Sequence, residues 1–210
     1  MVDERSTDLD DIEKVTLAHY DNSAESFWQG TKDHDVSQNI EAFLNALPED
    51  VALDILDFGC GPGRDVHTFK TLGHNPVGLD GSPSFCEMAR KHSACPVLHQ
   101  QFLSLDLQEN TFDGIFANAS LFHVPSKELP RVLLELNRAL RPNGILFTSN
   151  PRGNVEGWNG QRYGHYMELE VSKKFMETAG FEIIHYYYRP EGLPCEQQPW
   201  LAIVSKALPL

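Results

Sequence analysis

The sequence predicts an α/β protein: a mostly parallel, seven-stranded sheet with helices on both faces. Three observations predict it. Short apolar runs of strand length alternate with stretches of helical periodicity, a glycine-rich loop follows the first run, and the second run ends in an acid. Helices between consecutive strands imply parallel crossovers, and such a sheet takes its ligand at the carboxyl ends of its strands.

The first 35 residues are acidic and polar, with one helix carrying Leu9, Ile12 and Val15, followed by the polar stretch "QGTKDHDVSQN". From Val36, the residues Ile40, Phe43, Leu44 and Leu47 recur at helical spacing and stop at Pro48. "VALDILDF" reads as a buried strand, and after the glycine loop Val66 to Leu72 fits a helix ended by Gly73. "PVGLD" is the second strand. Ser82 then caps a helix that opens on Pro83, whose fixed φ suits the first helical position, and runs towards Ser93. "PVLHQ" and "FDGIFANA" are strands three and four. Leu129, Leu133, Leu136 and Leu140 line one face of the next helix, "RPNG" breaks it, and "ILFTSN" is strand five. "PRGNVEGWNGQRYGHY" is too long for an ordinary connection and reads as a functional loop whose glycines make it a mobile lid. A helix through Phe175 and Met176 ends at Gly180, and "FEIIHYYYR" and "WLAIVSKAL" supply the last two strands.

Composition narrows the partners. At 210 residues and 41% hydrophobic, the chain can bury one core. With 17 Lys+Arg against 30 Asp+Glu, its net charge of −13 opposes binding to nucleic acid or to an anionic membrane and favours a small-molecule ligand. The four cysteines show no paired spacing, and neither a secretory signal nor a bilayer-length apolar stretch stands out, so a reduced, soluble, cytoplasmic protein is expected. The histidines form no HExxH or Cys/His array, so no metal is expected.

The loop "DFGCGPGRD" decides the ligand class. A dinucleotide fingerprint is G-x-G-x-x-G, whereas here Arg64 stands at the third glycine position and Pro62 removes one amide donor. Asp57 adds negative charge at the strand end. These features suit a cationic or zwitterionic group better than a pyrophosphate. Asp80, at the end of the second strand, is placed to accept from both hydroxyls of a ribose.

"ILDFGCGPGRD", "GLDGS", "FDGIFANASLFHV" and "LNRALRPNGILFTSNP" resemble the Rossmann-like, S-adenosylmethionine-dependent methyltransferases. The resemblance implies a sheet with one antiparallel strand, and a single methyltransferase domain over 1–210. Residues 1–50 would then form a helical cap over the site, and 51–210 a core with a substrate loop at about 151–167. It implies that Asp57, Gly59, Gly61 and Gly63 hold the methionine end of S-adenosylmethionine, that Asp80 takes the ribose with Gly81 and Ser82 alongside, that Gln101 and Phe102 meet the adenine, and that Asn118 faces the methyl donor. The family commonly has an Asp where this chain has Gln101.

A narrower resemblance covers residues 15 to 208. "FWQGTKDHDVSQNI", "FDGIFANASLFHVPSKELPRVL", "SNPRG", "EGWNGQRYGHY" and "YYRPEGLPCEQQPWLA" are similar to the methyltransferase part of the ovothiol biosynthetic system, which methylates the π nitrogen of 5-thiohistidine. In that family this part is often fused behind an iron-dependent sulfoxide synthase. The resemblance implies a stand-alone version here, served by a separate synthase.

Methyl transfer from a sulfonium is an in-line displacement, so the protein supplies alignment, desolvation and an acceptor with a free lone pair. His34, Asp35, Tyr163 and Tyr166 are candidates to fix the tautomer of an imidazole, with Tyr163, His34 and Asp35 the catalytic choices. Arg152 and Arg162 offer forks for a substrate carboxylate, and Asn39, His123, Asn150 and Trp158 complete the expected acceptor pocket. Bland readings stand beside these. His34 and Asp35 would also open the next helix by capping, His123 would also pack at a strand end, Asn39 would also sit on a solvated helix face, and Trp158, Tyr163 and Tyr166 would also seal the core. Two other functions remain open: methyl transfer to another small thiol or carboxylate, and a non-catalytic cofactor-binding partner of a synthase.

Overall fold

The computed structural model describes residues 8–209; the first seven residues of the expected cap lie outside that range. Three helices precede the first strand: α1 (Leu9–Asn22), α2 (Ala24–Thr31) and α3 (Ser37–Leu44). Asp8 caps α1 by accepting the Asp10 N–H at 3.0 Å, and Asp10 and Asp11 complement the helix dipole in its first turn. The alternation follows as β1 (Asp54–Phe58), α4 (Arg64–Thr71), β2 (Asn75–Asp80), α5 (Pro83–Ser93), β3 (Val97–His99) and β4 (Phe112–Asn118). A single 3₁₀ turn at Leu121–His123 leads to α6 (Leu129–Ala139) and β5 (Leu140–Pro151). A hairpin of β6 (Val155–Asn159) and β7 (Arg162–Tyr166) comes next, then α7 (Leu169–Thr178), β8 (Phe181–Arg189) and β9 (Trp200–Ala207).

Seven strands form one sheet in the order β3-β2-β1-β4-β5-β9-β8. β9 runs antiparallel to both of its neighbours, and the other pairs are parallel. Side chains alternate across the sheet and divide the core into two layers. Leu56, Ile115 and Leu146 face α6 residues such as Leu133 and Leu136, whereas Ile55, Phe116 and Phe147 face Phe43 of α3. The apolar runs read as strands are continuous because both faces are covered.

Local signals hold where expected and give way where packing intervenes. Ser82 Oγ accepts the Phe85 N–H at 3.2 Å and Pro83 opens α5. The polar stretch after α1 is partly helical: α2 runs to Thr31 because its aromatic side, Phe27 and Trp28, packs over the sheet's carboxyl edge. "RPNG" is a bulge inside a long β5, since Phe112 pairs with Leu140 before the register resumes at Gly114 and Ile145. The expected mobile loop is a two-stranded ladder. Asn159 pairs with Arg162, and Gly160 supplies the positive φ (+61°) at the first turn position.

Phe43 locks the cap segment to the sheet. Fully buried, it makes ring contacts with Phe69, Phe116 and Phe147 at 5.7, 5.4 and 6.3 Å, and it fills the space beside Gly114. Phe43→Ala is expected to lower unfolding free energy by about 3–5 kcal/mol, as truncation of a buried aromatic leaves a cavity; denaturant titration reads it directly.

Candidate functional site

A cavity of about 680 Å³ opens at the carboxyl ends of β1, β2 and β4, beneath α1 and α2. Its floor is the glycine loop. The Gly59 and Cys60 N–H groups donate to the Leu79 carbonyl at 2.8 and 3.0 Å, which joins the ends of β1 and β2. Gly59 has φ +76° and a Cβ there would run into Ser120, while a Cβ at Gly63 (φ +88°) would lie 2.7 Å from Ala89 Cα, where α4 meets α5. Gly61 donates its N–H to Asp80 Oδ2 at 2.9 Å, and Ser82 donates its own to Asp80 Oδ1 at 2.9 Å. Asp80 borders the cavity and is only 8% exposed; burial, outweighing the backbone amides, raises its pKa to about 6.

Asp57 is not on the cavity wall. It lies under the loop, 2% exposed, with one carboxylate oxygen unpartnered, and burial together with Asp65 pushes its pKa up. Asp65 and Asp80 therefore set a negative field around the loop, opposed locally by Arg64. That field suits a sulfonium and an ammonium and disfavours a pyrophosphate. Arg64 forks onto Asp65 at 2.7 and 2.9 Å and reaches the Thr31 carbonyl at 3.0 Å, so it ties α2 to the loop. Asn118, on the wall, donates to Asp65 at 3.3 Å and accepts from Asn39 at 3.0 Å. Asn39 is fully buried and also accepts from the Tyr187 hydroxyl at 2.8 Å, so it supports Asn118 from behind the wall and is neither a surface residue nor an acceptor ligand.

The other cofactor candidates divide. Gly81 and Phe102 border the cavity, and the Phe102 ring stacks on Phe58 at 4.2 Å. Ser82 is buried beneath it, bonded to Asp21 at 2.8 Å. Gln101 is exposed and away from the wall. The turn that joins Gln101 to Ser104 directs Phe102 and Leu103 inward and leaves the amide in solvent.

The acceptor end centres on His123. Its Nδ1 lies 2.6 Å from the Tyr163 carbonyl, which can only accept, so Nδ1 carries the proton. Nε2 is then an acceptor and receives the Tyr20 hydroxyl at 2.7 Å. Burial lowers the His123 pKa to about 4, which keeps the ring neutral at pH 7. Arg162 hydrogen-bonds the Tyr20 oxygen from the other side, and Tyr20, His123 and Arg162 all border the cavity.

β-alternation separates the hairpin candidates. Arg162 faces the cavity, whereas the Tyr163 side chain points away to Glu156, where burial and that carboxylate raise its pKa to about 12. What Tyr163 gives the site is its carbonyl and its N–H, the latter bonded to Thr16 Oγ1 at 3.1 Å. Trp158 packs edge-on to Tyr163 at 5.6 Å, and Tyr166 lies against Phe122 and over Gly164; neither borders the cavity. Asn150 accepts the Phe122 N–H at 3.3 Å and supports the 3₁₀ turn. Arg152 bonds Glu168 and the Cys195 and Gln198 carbonyls and stacks 4.4 Å from the Tyr188 ring centroid, so its donors hold the 195–198 turn rather than a substrate carboxylate. His34 and Asp35 sit at the cavity rim. Asp35 accepts the Ser37 N–H at 2.9 Å, the capping role, and that bond lowers its pKa. The sequence reading missed Tyr20, Phe27, Phe85 and Arg189, all on the wall. Aromatic residues at 20, 27 and 28 within a polar stretch are the signal that marks the first two.

Comparison with known proteins agrees with this geometry. Residues 56–148 match a family described as "Methyltransferase domain". The fold is the Rossmann-like one of solved S-adenosylmethionine-dependent methyltransferases. A malonyl-[acyl-carrier protein] O-methyltransferase of Pectobacterium atrosepticum is 33% identical over 107 residues, 50% of this chain and 42% of that protein. An uncharacterised methyltransferase of Schizosaccharomyces pombe is 25% identical over 84% of this chain and 80% of its own length. The chain spans 42%, 39% and 40% of the first three curated relatives it matches. Among solved structures, the 1,6-didemethyltoxoflavin-N1-methyltransferase of Burkholderia thailandensis, with its substrate and S-adenosylhomocysteine bound, superposes with TM-score 0.79 at 20% identity, over 99% of this chain and 94% of that one. The [4+2]-cyclase SpnF shares the fold at TM-score 0.73 and 16% identity, over 94% and 96% of the two chains. Among the described residues no helix is long and apolar enough to cross a membrane.

The raised pKa of Asp80 gives the expected ribose contact a pH dependence. Ribose hydroxyls would donate to ionised Asp80, whose free-protein pKa is about 6. Affinity for S-adenosylhomocysteine is therefore expected to be level above pH 7 and to weaken as pH falls through 6, by at most about tenfold per pH unit. Calorimetry from pH 5 to 8 measures this, and Asp80→Asn is expected to remove the dependence along with much of the affinity.

Proposed function

We propose that this chain transfers a methyl group from S-adenosylmethionine to a ring nitrogen of a small zwitterionic heteroaromatic acceptor, specifically the π nitrogen of 5-thiohistidine in ovothiol biosynthesis. The observation that carries the reaction class is the Tyr20–His123–Arg162 corner, set in the same cavity as the glycine loop and Asp80. The cavity volume is that of a small-molecule site, and the charge of −13 argues against a nucleic-acid substrate. The Burkholderia structure, named for methylating a ring nitrogen, lends support because its fold spans nearly all of this chain. The choice of 5-thiohistidine rests on the sequence resemblance outside the glycine loop. A separate sulfoxide synthase would supply its precursor.

When bound, S-adenosylmethionine supplies an electrophilic methyl on a sulfonium. The chain's own groups prepare the acceptor. Tyr20 has its proton committed to His123 and accepts from Arg162, so its oxygen has one further lone pair with which to accept from the far N–H of an imidazole. That bond leaves the other ring nitrogen with a free lone pair for attack. With a pKa near 4, His123 is too weak a base to draw the proton from Tyr20, so the pair orients and does not ionise. An acceptor whose thiol is already ionised needs no strong base. Arg162, with Arg189 across the rim, is available to a substrate carboxylate. Arg152 is not.

Mass spectrometry of the protein incubated with S-adenosylmethionine and 5-thiohistidine, histidine or cysteine tests the proposal, with NMR locating the methyl. The expected product is the π-methylated thiohistidine alone. Turnover of another acceptor instead would replace the substrate. Cofactor binding without any turnover would favour a non-catalytic partner of a synthase, a role for which the cyclase bearing this fold shows that architecture does not dictate methyl transfer. In the same assay Arg162→Ala is expected to raise KM for the acceptor at least about tenfold through loss of a charge-assisted fork, and Arg152→Ala to leave KM within about twofold.

A further inference from the structure

We propose that Glu13, on the cap helix α1, accepts the exocyclic amine of the cofactor's adenine. The proposal rests on the reading that S-adenosylmethionine binds with its ribose at Asp80. Leu17 of α1 lies directly over Gly81, the residue after Asp80, close enough that a Cβ on Gly81 would be 2.7 Å from Leu17 Cδ2. Glu13 stands one turn further along the same face, about 6 Å away. It reaches the next loop of the sheet, where its Oε1 accepts the Leu103 N–H at 3.1 Å. There it borders the cavity beside Phe102, whose ring, stacked on Phe58 at 4.2 Å, offers an apolar face to a planar base. Gln101, which the family resemblance implies for the amine, is exposed and off this wall.

Glu13 thus brings a carboxylate to the place where the amine is expected. Leu103 engages one oxygen and leaves the other to bond a ligand. An ionised carboxylate accepts and never donates, so it selects an adenine, with two N–H protons on its exocyclic nitrogen, over a hypoxanthine, which carries an oxygen there. Partial burial raises the Glu13 pKa, and a carboxylate short of water gains most from a further donor. A residue that only latched α1 to Leu103 would serve every nucleoside equally. Base discrimination separates the two roles.

The experiment is calorimetric titration of the wild type, Glu13→Gln, Glu13→Ala and Gln101→Ala with S-adenosylhomocysteine and with S-inosylhomocysteine. The wild type is expected to bind the adenine nucleoside at least about tenfold more tightly. Glu13→Ala should bring the two within about threefold by weakening only the first, and Glu13→Gln, whose amide can donate to the inosine oxygen, should narrow or invert the ratio. Gln101→Ala should keep it. Equal weakening of both ligands in the Glu13 variants, or loss of discrimination in Gln101→Ala, would overturn the assignment. A wild type that binds neither nucleoside would instead overturn the cofactor reading, and this inference with it.

Discussion

The site depends first on one buried carboxylate shared by two loops. Asp80 takes the amide of Gly61 from the loop after β1 and the amide of Ser82 from the cap of α5, so neither loop can shift without breaking a charge-assisted bond. The Leu79 carbonyl, held by Gly59 and Cys60, repeats the junction one residue earlier. With both loops pinned, the glycines keep a bare floor, and the packing of Gly59 against Ser120 and Gly63 against Ala89 leaves no room for side chains there. Burial makes Asp80 costly to ionise, and further hydrogen-bond donors from a ligand would ease that cost. The free site is thus set up to gain from its ligand.

The opposite wall is built by elements distant in sequence that meet at His123. α1 supplies Tyr20 to one ring nitrogen, β7 supplies the Tyr163 carbonyl to the other, and Thr16 fixes the Tyr163 N–H. A histidine with a carbonyl on one side has no choice of tautomer, so the direction of each following bond is determined. The arrangement also bears on the hairpin. β7 is bonded to α1 and to the 3₁₀ turn, which makes it part of the wall.

The sheet was legible from the sequence because its signals are local: apolar runs, the Ser82–Pro83 cap, and an acid closing β2. Much of the cavity floor was legible for the same reason, since a glycine loop and a strand-end carboxylate have fixed places in this topology. The acceptor wall was not. Arg162 and Tyr163 have opposite roles that only the alternation of β7 assigns, and a segment read as a loop has no alternation to apply. Arg152 looked available because its partners, near Cys195 and Gln198, lie far along the chain. Asn39 shows no apolar signature of burial, as its burial rests on Asn118 and Tyr187. Tyr20 sat unnoticed in a stretch read as acidic and polar.

That division also fits the reach of the comparisons. The family match over 56–148 contains the glycine loop, Asp80, Phe102, Asn118 and His123, which form one side of the cavity. Tyr20, Phe27, Arg162 and Arg189 all lie outside it, on the cap helices, the hairpin and the end of β8. These residues belong neither to the parallel strands β1–β5 nor to the glycine loop, so on the proposed reading a donor site can be kept while the acceptor changes. On the proposed reading, substrate choice resides in how α1, α2 and β7 close over that floor. His123 is the hinge between the two regions: a residue of the matched segment whose hydrogen-bond direction is dictated by β7 and delivered to the cavity by α1.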